Sequence, residues 1–156
     1  LHHFHGVPKH TLDAKTFGVF RPRILDASPY LNGFSDKLSV PISRWASIRA
    51  DDIARAPELT LLAASEEGGA SMIEDRKRRR LYLLDHLEYD SDTLADEYFR
   101  DVKANVPINV PANYFPGNDP QQTPLNRWRS HAFLLFGNWI NEIYQTTPYD
   151  LARVGE

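Results

Sequence analysis

His86 and Glu88 stand one residue apart, directly after the apolar run Leu81-Tyr82-Leu83-Leu84. At the end of a buried strand, that pair forms two thirds of a nucleophilic triad: the imidazole shuttles a proton and the carboxylate fixes its tautomer. An imidazole suits the work because it accepts and returns a proton near neutral pH. The third member would be a nucleophile. The chain contains no cysteine, and none of its serines lies in a G-x-S-x-G turn. A base and its orienting group are present without the atom they would activate.

The elements around the pair must place it. Arg80 to Asp85 reads as the strand that carries it, and the i+2 spacing suits a turn leaving the carboxyl edge of a sheet. Upstream, Leu59 to Ala64 and Ala70 to Glu74 predict a hairpin through Glu66-Glu67-Gly68-Gly69. Thr16 to Leu25 predicts one strand, with Pro22 implying an edge or a bulge, and Leu38 to Ile42 predicts another. Asp51 to Ala56 predicts a short helix stopped by Pro57. Leu1 to His5, ended by Gly6 and Pro8, reads as the tail of a helix whose beginning is missing, so the start is expected to be a cut end.

Downstream, Asp90 or Ser91 would cap a helix reaching Ala104, with Leu94, Tyr98 and Val102 on its apolar face. Residues 106–120 are rich in Pro and Asn yet carry Tyr114 and Phe115, so they pack without forming an element. Thr123 as cap and Pro124 at the first position open a last helix through Trp128, Leu135, Trp139 and Ile143, closed by Thr147-Pro148.

A chain of 156 residues with 42% hydrophobic content can bury one core, and no repeat or linker divides it. The net charge of -3, with acids and bases interspersed, offers no footprint for nucleic acid or an anionic membrane. No apolar stretch has the length of a membrane span. Without cysteine there are no disulfides or thiolate metal sites, which fits a cytoplasmic protein. His2, His3, His5 and His10 crowd the N-terminus, but sites of three or four ligands draw on separate elements, so no metal is expected. The run Arg76-Lys77-Arg78-Arg79-Arg80 reads as a solvated loop, and Trp128, Trp139 and Tyr144 as core or subunit interface.

Several runs are recognisable together: His5-Gly6-Val7-Pro8-Lys9, Lys15-Thr16-Phe17-Gly18-Val19, Pro41-Ile42-Ser43-Arg44 and His86-Leu87-Glu88-Tyr89-Asp90. Tyr98-Phe99-Arg100-Asp101-Val102, Asn113-Tyr114-Phe115-Pro116, Trp128-Arg129-Ser130-His131, Asn138-Trp139 and Thr147-Pro148-Tyr149-Asp150 follow in order. With them the chain resembles the homoserine O-acyltransferases of methionine biosynthesis, over essentially its whole length. The resemblance implies an α/β, class I glutamine amidotransferase-like three-layer fold, of which residues 1–156 would be the C-terminal portion of a single domain. It implies ping-pong transfer of an acyl group from acyl-coenzyme A to the γ-hydroxyl of L-homoserine, through a thioester on a cysteine just upstream of Leu1. The expected partners are therefore L-homoserine and acyl-CoA as co-substrate, with no further cofactor and a homodimer in the full-length form.

The same resemblance implies roles residue by residue. His86 matches the catalytic base and Glu88 its orienting carboxylate. Arg100 matches a substrate-binding arginine, and a planar guanidinium can grip an amino-acid carboxylate with two bonds. Without that role it would be an exposed pair with Asp96, worth about 0.3 to 0.5 kcal/mol. Lys15 and Ser43 match two further homoserine-contacting positions. The donor is expected to be acetyl-CoA, from the run Leu1 to Phe20, with succinyl-CoA as the alternative. Another glutamine amidotransferase-like enzyme would share Cys-His-Glu chemistry but not the runs at 89–90, 98–101 and 128–131. A non-catalytic module or split subunit is the reading that the missing nucleophile leaves open. The chain by itself is expected to be inactive, and poorly folded because the parallel strands that would flank Arg80 to Asp85 lie partly in the absent half and leave an apolar edge exposed.

Overall fold

The strand expected over residues 16–25 is broken in two, and the break divides the strands between two sheets. In a computed structural model that describes residues 1–153, β1 (His10–Phe20) pairs antiparallel with β3 (Val40–Ser47). The last three residues of the expected 1–156 unit lie outside the described residues. β2 (Arg23–Ile24) joins a second sheet of order β2-β4-β5-β6, with β4 at Leu59–Ser65, β5 at Gly69–Asp75 and β6 at Arg80–Leu83. Pro22 sits at the crossing. It has no N–H for a ladder, while its carbonyl accepts from the Leu38 N–H at 3.0 Å. β1 starts at His10 and not at the expected Thr16; its register is irregular between Thr11 and Thr16, where its alternation is hidden.

The β4–β5 hairpin forms as expected. Between β5 and β6 the turn at 76–79 is short and can only reverse the chain, so the neighbour of β6 is the antiparallel β5 and not a parallel strand. Among the described residues the other edge of β6 has no strand partner. The basic run lies at this turn, where Arg78 bonds Asp75 at 3.0 Å and Arg80 lies over the Phe4 ring at 3.9 Å.

Helix α1 (His2–His5) is tied down by its histidine: His5 bonds Glu58 at 3.0 Å and the Tyr82 hydroxyl at 2.8 Å. His10 bonds Asp52 of α2 (Ala50–Ala54) at 2.6 Å. Among the described residues no three His, Cys, Asp or Glu side chains are grouped to hold a metal.

α3 (Thr93–Lys103) buries Leu94 and Ala95, with Tyr98 packed against the core, whereas Val102 is exposed. α4 (Arg129–Thr146) begins later than Pro124. The N-cap position is Trp128 in place of the expected Thr123, and the turn leading into the helix is held by Asn126, whose side-chain oxygen accepts the N–H groups of Trp128 at 3.1 Å and Arg129 at 2.8 Å. Of the aromatic stripe, Trp128 is fully buried, while Trp139 and Tyr144 are exposed.

Residues 106–120 do pack. Ala112 runs beside β1, donating to the Phe17 carbonyl at 2.9 Å and accepting from the Val19 N–H at 2.8 Å. That approach needs Gly18, where any Cβ would collide with the Ala112 backbone.

Candidate active site

The pair His86 and Glu88 lies where the two sheets meet. Leu84 extends the β6 ladder by donating to the Ser71 carbonyl at 2.9 Å, and two residues on His86 donates its N–H to Pro41 of β3 at 2.9 Å. The turn then closes, with the Tyr89 N–H on the His86 carbonyl at 3.2 Å. The indole of Trp128 donates to the Tyr89 carbonyl at 2.8 Å, so the buried start of α4 fixes this turn.

Side chains at the turn alternate in direction. Asp85 points inward to Ser71 and Arg44, whereas His86 and Glu88 point outward with side chains 35% and 58% exposed. His86 Nδ1 and Glu88 Oε1 are 2.7 Å apart. A carboxylate can only accept, so Nδ1 carries the proton and Nε2 is left with its lone pair for a reacting group. The Tyr89 ring stacks on the imidazole at 4.3 Å and 12°, which holds its plane.

From Tyr89 a polar network leads away from the pair. Its hydroxyl donates to Glu97 Oε1 at 2.9 Å, while Glu97 Oε2 accepts from Ser43 at 2.6 Å and Lys15 at 3.1 Å. Lys15 also lies 4.0 Å over the Phe17 ring and 3.8 Å from Asp101. Lys15 and Ser43, far apart in sequence, thus meet on one carboxylate that sequence reasoning did not single out. Burial pushes Glu97 up, but the bonds from Ser43, Lys15 and Tyr89 outweigh it and hold the group below its usual value. Burial, then the bond to Glu97, pushes the Tyr89 hydroxyl well above its usual value and keeps it a donor.

Arg100 follows Glu97 by three residues on α3 and shares its side of the helix. Its side chain is 65% exposed and its partner is Asp101, at 2.7 Å, in place of Asp96. The bond to Asp101 raises its pKa first, and the charge of Glu97 adds to it. The guanidinium therefore stays charged at the rim with donors to spare.

An apolar groove of about 580 Å3 lies on the other side of the turn, where Leu87, Glu88 and Tyr89 face Phe133, Phe136 and Ile140 of α4. Among the described residues no helix is long and apolar enough to cross a membrane.

The architecture matches the glutamine amidotransferase fold. A glutamine amidotransferase from Thermotoga maritima, 14% identical, superimposes with a TM-score of 0.58 over 90% of this chain and 54% of its own. At that identity the likeness speaks to the fold alone, which is the α/β class expected. The chain belongs to the homoserine O-succinyltransferase family, whose pattern its residues 1–149 match. A homoserine O-acetyltransferase of Rhizobium leguminosarum bv. trifolii is 58% identical over 99% of this chain and 51% of its own length. Another, of Agrobacterium fabrum, is 58% identical over 100% of this chain and 51% of its own. The chain spans about half the length of these curated relatives.

Proposed function

We propose that the protein containing this chain is a homoserine O-acetyltransferase, moving an acetyl group from acetyl-CoA to the γ-hydroxyl of L-homoserine. The observation that carries the reading is the 2.7 Å bond between His86 and Glu88, which leaves Nε2 free beside the Glu97 network in a chain of this family. In the first half-reaction Nε2 takes the proton of a cysteine thiol from the part of the protein beyond this chain. The thiolate attacks the acetyl-CoA carbonyl, and the departing CoA sulfur takes that proton from Nε2. In the second, the homoserine hydroxyl gives its proton to Nε2 as its oxygen attacks the enzyme thioester. The cysteine sulfur leaves and regains the proton. Arg100 would grip the homoserine carboxylate, and Lys15 and Ser43, held by Glu97, would line the same site.

The donor assignment rests on the relatives, which are named acetyltransferases, although the family is described by succinyl transfer. The same reading places the protein in the cytoplasm as a homodimer, a state favoured by the exposed Phe133, Ile140 and Tyr144 on α4. The test is CoA release by the full-length protein with each donor, with and without homoserine. Homoserine-dependent release faster from acetyl-CoA than from succinyl-CoA is expected; release indifferent to homoserine would overturn the assignment.

A further inference from the structure

Two hollows lie end to end beside β1; the first meets the proposed homoserine site at Lys15 and runs away from it, and the second shares no residue with that site. The first, about 760 Å3, is lined by Lys15, Phe17, Phe20 and Trp45, with Ile108 and Val110 opposite. The second, about 320 Å3, is lined by Arg21, Lys37 and Arg127 together with Ser39 and Asn113. They share Phe20 and Glu67 and so form one trough.

The charge at its far end is unbalanced. Arg44, Arg55, Arg76, Arg78 and Arg100 each sit on a carboxylate. Among the described residues, the side chains of Arg21 and Lys37 have no such partner, and Arg127 reaches only the Asn113 carbonyl at 3.4 Å. Three cations against the single carboxylate of Glu67 around one hollow, in a chain of net charge -3, make a seat for a polyanion. The other end is different. Lys15 is already neutralised by Glu97, and Trp45, 51% exposed, offers an indole face among apolar walls.

We propose that the trough binds the nucleotide end of the acyl donor. The phosphates of coenzyme A lie among Arg21, Lys37 and Arg127, where guanidinium groups bind phosphate oxygens through paired bonds. The adenine or the pantetheine arm lies against Trp45 and Phe20. Glu67, at the junction, repels phosphate and confines it to the cationic end; Asp13 does the same at the Lys15 end. The thioester end is then directed past Lys15, from which Glu97 and Tyr89 lead to His86. This rests on the acyltransferase reading and adds the donor's place to it.

The test is calorimetric titration of the full-length protein with CoA, pantetheine and inorganic phosphate, before and after the double change Arg21→Glu and Lys37→Glu. Neither side chain holds the fold together, so the melting temperature should be unchanged; if the double variant does not fold, Arg21→Gln with Lys37→Gln serves. CoA binding should weaken by about tenfold or more, with pantetheine binding unaltered. Unchanged CoA binding, equal weakening of both ligands, or inorganic phosphate binding as tightly as CoA would each overturn the proposal. Kinetics separate it from the activity it rests on. Normal transfer with an unchanged KM for acetyl-CoA in the variant defeats the trough alone. CoA binding that weakens in the variant, with a parent protein that never acylates homoserine, defeats the activity alone.

Discussion

Asp85 and His86 are neighbours in the chain and opposites in the structure. Asp85 is buried against Ser71 and Arg44, and burial pushes its carboxyl up to about 6 even though both partners and His86 pull it down. Arg44 in turn spans the two sheets, bonding Leu84, Gly68 and Ala70 through their carbonyls. Its charge is met by Asp85 inside the fold, and of its nitrogens the buried Nε has no hydrogen-bond partner among the described residues. His86 and Glu88 satisfy each other and leave Nε2 to solvent. One turn therefore carries both a clasp that closes the scaffold and a pair left open for chemistry, and the two should respond differently to substitution.

The largest effect should fall on turnover. Glu88→Ala in the full-length protein is expected to lower kcat by about 10^3 to 10^4 through a mis-set tautomer, with stability changed by no more than about 0.5 kcal/mol. Arg44→Ala is expected to do the reverse: a loss of about 3 to 5 kcal/mol in denaturant unfolding, because Asp85 is left buried without its cation. If Arg44→Ala proves as stable as the parent, the clasp is not a clasp.

Acidity distinguishes the two groups further. Asp85 holds its proton more tightly folded than unfolded, so its contribution is most favourable below pH 4 and is lost as pH rises through 6. Compared with Asp85→Asn, the parent should therefore lose about 2 kcal/mol of relative stability between pH 4 and pH 7. A flat difference across that window contradicts the buried, raised carboxyl. The smallest effect concerns the rim. Arg100→Lys keeps the charge but loses the planar fork, and acyl transfer to homoserine should fall about 10- to 100-fold while CoA release in the first half-reaction persists. Equal damage to both half-reactions would make Arg100 structural.

What the sequence made legible follows the range of the interactions. His86 and Glu88 are two residues apart, and their strand, turn and spacing are local, so the pair could be read directly. Glu97 could not: its partners Lys15 and Ser43 lie 82 and 54 residues away, and nothing local marks it beyond its place beside Arg100 and the buried side of α3. The Arg44–Asp85 clasp is equally non-local. Pro22 signalled a disturbance, but whether it bends a strand or moves it to another sheet depends on Leu38 and β4, not on residues 16–25. At α4, Thr123-Pro124 is a local start signal, but the helix begins at Arg129, after the Trp128 indole has bonded the distant Tyr89 carbonyl.

The central claim is that His86 serves both half-reactions from a turn that does not depend on it for folding. Single-turnover release of CoA from acetyl-CoA, followed by transfer to homoserine, should be measured in full-length His86→Ala beside the parent. Loss of both steps to background, with an unchanged melting temperature, is the predicted result. Near-normal transfer by the folded variant would contradict the account.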